Sequence, residues 1–176
     1  GPILPIVPNI ISIMDLGFLS WPNQFTKKDF FQLKYLTRLS VLTADKIIAI
    51  SEFTKKHIIS QYQISPGKIT VAYPGWQKSR IKSKTYSQKD INQVKEKFGI
   101  KKEYLIYLGT LKPSKNVEKL IEAFSILKKK NQFKRLQLVI AGKKGWLYQT
   151  IFEKVKLLDS SQDIVFTGFI LDFEAK

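Results

Sequence analysis

Short apolar runs alternate along this chain with segments whose apolar residues recur at helical spacing, and this alternation limits the possible folds more than any other feature. Six runs are predicted to be strands: residues 10–14, 46–50, 69–73, 104–108, 136–141 and 164–166. Strands that alternate with helices build a parallel sheet, because the helix between two strands returns the chain to the same edge. The pattern therefore predicts an α/β fold with parallel sheets.

The helical segments carry recognisable start signals. Ser51 is expected to cap a helix, and Ser87 with Asp90 forms a capping box for another. Apolar residues on two adjoining faces of residues 28–43 predict a long helix that is mostly buried. A helix that starts near Asn116 has the clearest apolar stripe of the chain: Val117, Leu120, Ile121, Phe124 and Leu127.

Residues 76–86 follow a Pro-Gly pair and are polar and basic without periodicity, which is typical of a linker. We expect residues 1–75 to be the C-terminal part of one domain and residues 87–176 to be the N-terminal half of a second. Three strands on each side are about half of a doubly wound sheet. The chain also begins at Gly1 without an initiator Met. It is therefore expected to be a piece of a longer protein.

The composition excludes several chemistries. The chain has no cysteine and a single histidine, His57. Disulfides, thiolate metal sites, cysteine nucleophiles and sites that need several histidines are therefore ruled out. The most apolar stretch, residues 3–14, is interrupted by Pro5 and Pro8, so neither a signal peptide nor a membrane span is predicted. The absence of cysteine favours a reducing compartment.

The chain has 30 basic and 14 acidic residues and a net charge of +16. Only three of the cations are arginines, whereas reading of bases and bidentate binding of phosphate favour Arg. Solvated lysines on helix faces, or attraction to anionic lipid and phosphorylated ligands, are the main interpretations. A nucleic-acid-binding protein is a weaker alternative, because the aromatic residues fall on predicted core faces.

The strongest candidate for binding chemistry is the turn after the fourth predicted strand. Gly109 allows a sharp turn out of the strand, and the helix near Asn116 directs its free amides back at that turn. Lys112 and Lys115 add two cations. This is a suitable cradle for a diphosphate, although it is neither a Walker motif nor a Gly-x-Gly-x-x-Gly motif. The alternative is an ordinary turn with solvated lysines.

Two more turns that contain glycine follow later strands. One carries Gly142 and Lys143, and the other carries Gly168, Phe169 and Ile170. Because the carboxyl ends of parallel strands share one sheet edge, the three turns together describe a groove of nucleotide size. The alternative is sheet packing, since Gly after a strand is common.

In order and spacing, four of these segments resemble family 4 glycosyltransferases of the GT-B fold. The segments are DKIIAISEFTK (45–55), VAYPG (71–75), GTLKPSKN (109–116) and AGKKGW (141–146). The resemblance implies a GT-B-like α/β fold, with parts of two Rossmann-like domains that face each other across a cleft. It also implies that the sugar nucleotide binds mainly to the second domain and the acceptor mainly to the first.

In the second domain, the resemblance assigns Lys115 to the donor diphosphate. Thr110 and Ser114 stand where members of the family carry an arginine, and Lys112 is expected to substitute as the nearby cation. The predicted donor-phosphate residues are Gly109, Thr110, Lys112 and Lys115. The predicted nucleotide-binding residues are Gly142, Lys143, Gly168, Phe169 and Ile170.

In the first domain, the resemblance places the start of a helix at the cleft, formed by Ser51, Glu52, Phe53 and Thr54. Met14 and Asp15 occupy the positions of the family's His-Asp pair, and a thioether cannot donate the hydrogen bond of a histidine. Met14 is alternatively a filler of the core, and Asp15 a helix cap or a turn residue. The family's two donor-sugar glutamates would follow Lys176, so the fragment alone is expected to be inactive.

The function that the resemblance implies is transfer of a hexosyl group from a nucleotide sugar to an acceptor hydroxyl, with retention of configuration. Mannose from GDP-mannose is favoured, and a UDP-sugar remains open. Neither a cofactor nor a metal is expected, since the lysines and helix amides balance the charge of the diphosphate. The expected acceptor is a glycan or a lipid-linked sugar in polysaccharide or glycolipid biosynthesis. The expected location is the cytoplasm, with peripheral contact at the anionic inner face of the membrane. A noncatalytic remnant of the fold is the alternative.

Overall fold

The computed structural model describes residues 7–75, 86–158 and 161–171. The chain divides into two compact units, Gly1–Lys82 and Ser83–Lys176. Apart from Tyr86, the predicted linker over residues 76–86 lies outside the described residues, and the linker therefore stays a prediction.

The first unit is a parallel three-stranded sheet in the order β1-β2-β3. Its core forms where the central strand β2 meets helix α3, around Ile47, Ala49 and Ile58. The elements in chain order are β1 (Ile10–Ile13), α1 (Gly17–Ser20), α2 (Lys27–Thr43), β2 (Lys46–Ala49), α3 (Glu52–Tyr62) and β3 (Ile69–Val71).

The prediction that the helix over residues 28–43 is mostly buried is wrong. Only Val41 of α2 is fully buried, and Phe30, three turns earlier on the same face, packs partly against the core. Phe31 and Tyr35 instead stack on each other and are 54% and 63% exposed. The apolar residues of α2 spread over a wider arc than the core of this unit covers, so one face is buried and the adjoining face is not.

The second unit is also a parallel three-stranded sheet, in the order β4-β5-β6. Every residue of the central strand β5 is buried, as expected for a parallel strand with neighbours on both sides. Helices α5 and α6 pack on one face around Ile121, Phe124 and Ile151. The elements are α4 (Gln88–Lys97), β4 (Tyr104–Leu108), α5 (Val117–Lys128), β5 (Gln137–Ala141), α6 (Gln149–Leu157) and β6 (Ile164–Gly168).

The predicted α/β class with two parallel sheets is confirmed. All six predicted strands are present, and their ends differ from the prediction by no more than two residues. Ser51 caps α3 by accepting a hydrogen bond from the Thr54 amide at 3.1 Å. Ser87 and Asp90 form the predicted capping box of α4. The individual strands and the two caps were predictable because each depends on residues close together in the sequence.

Polar side-chain contacts hold the amino edge of the second sheet. The side-chain oxygen of Gln137 accepts hydrogen bonds from the Lys101 and Lys102 amides at 2.9 and 3.0 Å. Asp163 accepts from the ammonium groups of Lys102 and Lys128, each at 2.9 Å. Burial alone raises the pKa of Asp163, but the two lysines outweigh burial and hold it below its ordinary value. The chain segments at this edge are therefore tied together by side chains.

Candidate functional site

At the opposite, carboxyl edge of the same sheet, backbone hydrogen bonds join the three glycine-containing turns. The first turn begins at Gly109 after β4, the second at Gly142 after β5, and the third at Gly168 at the end of β6. The Gly109 amide donates to the Ala141 carbonyl at 2.9 Å, and the Gly142 amide donates to the Gly168 carbonyl at 2.8 Å. Beyond the strands, the Leu111 amide donates to the Lys143 carbonyl at 2.9 Å, and the Gly145 amide donates to the Leu111 carbonyl at 2.8 Å. The structure therefore brings the predicted second-domain residues to one edge.

Two glycines allow the first and second turns to lie in direct contact. Gly142 has a φ of +148°, and a Cβ on this residue would overlap the carbonyl of Gly109. A Cβ on Gly145 would lie 2.8 Å from the Leu111 oxygen and 2.9 Å from the Thr110 methyl. Gly145 has a structural role that the sequence analysis did not assign to it. Any side chain at either position would separate the two turns.

Lys112 and Lys115 lie at the two ends of a single 3₁₀ turn, Pro113–Lys115, where the Lys115 amide donates to the Lys112 carbonyl at 3.0 Å. Lys115 is exposed, and the next residue, Asn116, has a left-handed conformation before α5 begins. The two cations are thus presented beside the amino end of a twelve-residue helix.

No side chain caps the amino end of α5, whereas side chains cap α2, α3 and α4. The carboxylate of Glu118 in its first turn instead accepts a hydrogen bond from the Thr150 hydroxyl at 2.6 Å. The first amides of a helix carry partial positive charge and prefer an anion. With the two lysines, this helix end provides a cationic environment at the turn.

The structure also places aromatic rings against two lysines of the site. The Lys112 ammonium lies 4.6 Å from the centroid of the Trp146 ring. The Lys144 ammonium lies 5.1 Å from the rings of both Tyr148 and Phe152. These contacts were not predicted from the sequence.

The strand register contains the signal that could have found the contact with Trp146. Tyr104 lies opposite Gln137, and beyond the strands Leu111 still lies opposite Lys144, both 33 residues apart. Continuing this offset by one residue brings Lys112 opposite Gly145, next to Trp146. The register can be proposed from the sequence only after the two strands have been paired.

The phenol of Tyr107 lies directly beneath the first turn. Its oxygen is buried without a hydrogen-bond partner among the described residues, and burial raises its pKa above the ordinary value. A Cβ on Gly109 would lie 2.8 Å from this oxygen. Gly109 therefore provides space for the ring of Tyr107 as well as the sharp turn.

The third turn closes the row at the end of β6. Gly168 has a φ of +71°, and the Phe169 side chain that follows is 71% exposed. Ile170 is half-buried and lines an apolar cavity of about 440 Å³ between α4 and the sheet, together with Phe98 and Val139. Gly168 and Phe169 are therefore exposed at this edge of the sheet.

The predicted first-domain residues form a separate group at the carboxyl edge of the first sheet. The Thr54 hydroxyl contacts Ser51 Oγ at 3.0 Å and donates to the Met14 carbonyl at 3.3 Å. Thr54 is only 4% exposed, so its side chain is buried, and the position of the helix start at a cleft stays a prediction. Its hydroxyl anchors the helix start to the end of β1. Glu52 and Phe53 are exposed.

Met14 and Asp15 both lie at the surface of the first unit. Met14 is 59% exposed, which excludes its interpretation as a filler of the core of this unit. Asp15 accepts a hydrogen bond from the Gly17 amide at 2.8 Å and thus acts as a turn residue. The Asp15 side chain is also exposed.

Comparison with known proteins shows the family. The model of the glycosyl transferases group 1 family matches residues 88–175, half of the chain. The protein belongs to this family. The matched segment contains all the predicted donor-site residues, and the resemblance to glycosyltransferases of the GT-B type is confirmed.

Curated relatives include several mannosyltransferases. The chain is 27% identical over 149 residues to the serotype-specific mannosyltransferase WbdA of Escherichia coli, which covers 81% of this chain and 18% of the relative. It is 21% identical over 164 residues to the O-antigen chain mannosyltransferase B of the same species, which covers 93% of this chain and 42% of the relative. The chain thus spans less than half the length of these relatives.

Solved structures show the same fold. Anabaena Alr3699/HepE in complex with UDP-glucose superposes with a TM-score of 0.69 at 20% identity, over 96% of this chain and 44% of that chain. WaaG, a glycosyltransferase involved in lipopolysaccharide biosynthesis, superposes with a TM-score of 0.66 at 15% identity, over 95% of this chain and 47% of that chain. These similarities confirm the predicted GT-B-like fold.

Each helix among the described residues is too short or too polar to cross a bilayer. Within the same ranges, no three Asp, Glu or His side chains are grouped closely enough to hold a metal ion.

Proposed function

We propose that the second unit binds the diphosphate of a nucleotide sugar at its three joined turns, and that the protein transfers the hexosyl group to an acceptor hydroxyl with retention of configuration. The observation that carries this proposal is the position of Lys112 and Lys115 at the two ends of one 3₁₀ turn, beside the uncapped amino end of α5. Membership of the glycosyl transferases group 1 family supports it.

The chemistry in this proposal is mostly electrostatic. As the bond between the sugar and the diphosphate breaks, negative charge grows on the departing phosphate oxygens. Ammonium groups and helix amides fixed beside those oxygens interact more strongly with the transition state than with the bound donor, which lowers the barrier. In this proposal, the lysines and amides balance the charge without a metal ion or a cofactor.

Two findings bear on the donor. The relatives named as mannosyltransferases favour mannose as the transferred sugar. The complex of Anabaena Alr3699/HepE with UDP-glucose supports a UDP-sugar as the alternative. At the third turn, the exposed residue Phe169 would contact the base, and Gly142 with Lys143 would line the ribose and phosphate side. The donor is thus proposed to be GDP-mannose, with a UDP-sugar as the competing candidate.

The proposed acceptor is a glycan or a lipid-linked sugar in polysaccharide or glycolipid biosynthesis. The relatives named for O-antigen chain and lipopolysaccharide synthesis support this choice. The net charge of +16 supports a cytoplasmic protein with peripheral contact at an anionic membrane surface.

A second candidate is a protein that binds the donor without transferring the sugar. The exposed Met14 favours it, because Met stands where the resemblance places a histidine and cannot donate a hydrogen bond. An assay of sugar release from GDP-mannose and UDP-glucose by the full-length protein distinguishes the two. Binding without turnover in the presence of acceptor glycans would favour the second candidate.

Lys115→Ala tests the donor site. Loss of one charge-assisted contact is expected to weaken GDP and UDP binding by roughly 1–3 kcal/mol, measured by isothermal titration of the full-length protein. The matched control is Lys129→Ala, which removes an exposed lysine from the other end of α5 and is expected to leave both affinities unchanged. Equal affinities of the unmodified protein and the Lys115→Ala variant would remove this lysine from the site.

A further inference from the structure

We propose that Trp146 is a positioning residue for Lys112: its ring holds the Lys112 ammonium at the edge of the first turn, ready to bind the donor diphosphate. This inference rests on the proposed function. In it, Trp146 does not touch the diphosphate itself and acts only through Lys112. It also explains how a lysine at position 112 can serve where the chain has Thr110 and Ser114 instead of an arginine.

The backbone brings the two side chains together. The bridge between Leu111 and Lys144 continues the strand register into the turns, and the Gly145 amide bonds to the Leu111 carbonyl at 2.8 Å. The Lys112 Cβ lies only 3.3 Å from the place that a Cβ on Gly145 would occupy. The glycine thus lets Lys112 and Trp146 approach, and the ammonium comes to lie 4.6 Å from the ring centroid.

The charge of Lys112 is left available for an anion. Among the described residues, carboxylates pair with Lys102, Lys119, Lys128 and Lys154, but Lys112 has no such partner. An aromatic face attracts the ammonium without neutralising it. Because an ammonium has three N–H donors, contact with the ring on one side leaves donors for phosphate oxygens on the other.

The ring also reduces the cost of ordering the side chain. A free lysine side chain loses much rotamer freedom when it binds one oxygen in one geometry, and pre-ordering removes part of that loss from the binding step. A cation–π contact at a partly exposed site corresponds to about a two- to fivefold change in affinity. This is the size of the effect expected from Trp146.

The test is a double-mutant cycle in the full-length protein with Lys112→Met, Trp146→Leu and the two combined. GDP and UDP are titrated at one fixed ionic strength, and guanosine and uridine are titrated as ligands without phosphate. Trp146→Leu is expected to weaken nucleoside diphosphate binding about two- to fivefold when Lys112 is present, and to have no effect when Met occupies position 112. Nucleoside binding is expected to stay unchanged.

Two further variants serve as controls. Trp146→Phe keeps an aromatic face and is expected to restore most of the affinity, and it replaces Trp146→Leu if the latter does not fold. Lys144→Met removes the same charge from the neighbouring position, where the lysine lies against Tyr148 and Phe152. Its effect is expected to add to that of Trp146→Leu without coupling.

Three results would overturn the inference. They are an equal effect of Trp146→Leu with and without Lys112, an equal loss for nucleosides and nucleoside diphosphates, and no effect at all. If Lys115→Ala weakens diphosphate binding while the Trp146 variants do not, only this inference fails. If the unmodified protein binds neither diphosphate, the proposed function fails and the positioning role fails with it.

Discussion

At the scale of single residues, the contact between the first and second turns depends on Gly142. Its φ of +148° lies in a region that other residues rarely adopt, and a Cβ there would overlap the carbonyl of Gly109. Replacing Gly142 by any other residue would therefore cost both backbone strain and a steric overlap. The proposed donor site and the packing of this sheet edge therefore both depend on the absence of a side chain at Gly142.

Gly142→Ala is predicted to destabilise the second unit by roughly 2–3 kcal/mol, since the strained backbone and the overlap both oppose folding. Urea unfolding followed by circular dichroism measures the change. Gly67→Ala is the control, because its nearest neighbour would be Ser65 Oγ at an ordinary 3.9 Å. Similar unfolding midpoints for the two variants would show that the turns can separate without cost.

Single residues also show where prediction from the sequence succeeds and where it stops. Ser51 and Ser87 were predictable as caps because a cap and the amide that it accepts from are three residues apart. The contact of Lys112 with Trp146 spans 34 positions and depends on the register of two strands. The buried Thr54 hydroxyl donates to the Met14 carbonyl, which lies 40 residues away in the sequence. Contacts between residues close in the sequence could be predicted, whereas contacts between residues that follow different strands could not.

At the scale of elements, strands and helices were predicted more reliably than their burial. An apolar run shows that a segment forms an element, but the neighbours of that element decide how much of it is covered. In α2, Tyr35 and Leu36 are at least half exposed despite an apolar pattern on two faces. In β4, which is an edge strand among the described residues, Ile106 and Leu108 are 55% and 61% exposed.

Asp163 connects three elements, because it joins the start of β6 to Lys102 before β4 and to Lys128 at the end of α5. Asp163→Asn is predicted to lower the free energy of unfolding by about 1–2 kcal/mol at neutral pH. The folded-state pKa of Asp163 is below the ordinary 3.8. The stability that the Asp163 carboxylate contributes to the fold is therefore fully present above the pKa of this group in the unfolded chain. It is lost as the pH falls through the pKa of the group in the folded protein.

The difference in stability between the unmodified protein and the Asp163→Asn variant should thus be largest near pH 7 and shrink below about pH 4. Urea unfolding at several pH values measures it. Glu153→Gln, which removes an exposed carboxylate from α6, should leave the midpoint at neutral pH unchanged. If the difference between the unmodified protein and the Asp163→Asn variant persisted at acid pH, packing rather than charge would hold the amino edge of the second sheet.

At the scale of the whole molecule, charge is the property that the fold does not explain. The net charge is +16, and the ion pairs of the described residues include those of Lys102, Lys119, Lys128 and Lys154. The proposed donor site would account for only a few more lysines. The remaining cations are spread along the chain, and long-range attraction depends on their sum rather than on any single position.

This sum predicts binding to anionic membranes that weakens with salt. A cation held near an anionic surface contributes about 1 kcal/mol, and the attraction is screened beyond about 10 Å at 0.1 M salt. The full-length protein is expected to sediment with vesicles of phosphatidylcholine and phosphatidylglycerol at low ionic strength, and to be released as salt increases. Vesicles of phosphatidylcholine alone are the control. Equal sedimentation with both vesicles would show that the charge has no role at lipid, and a salt-sensitive shift of random RNA in a gel would then favour nucleic acid as the partner of these cations.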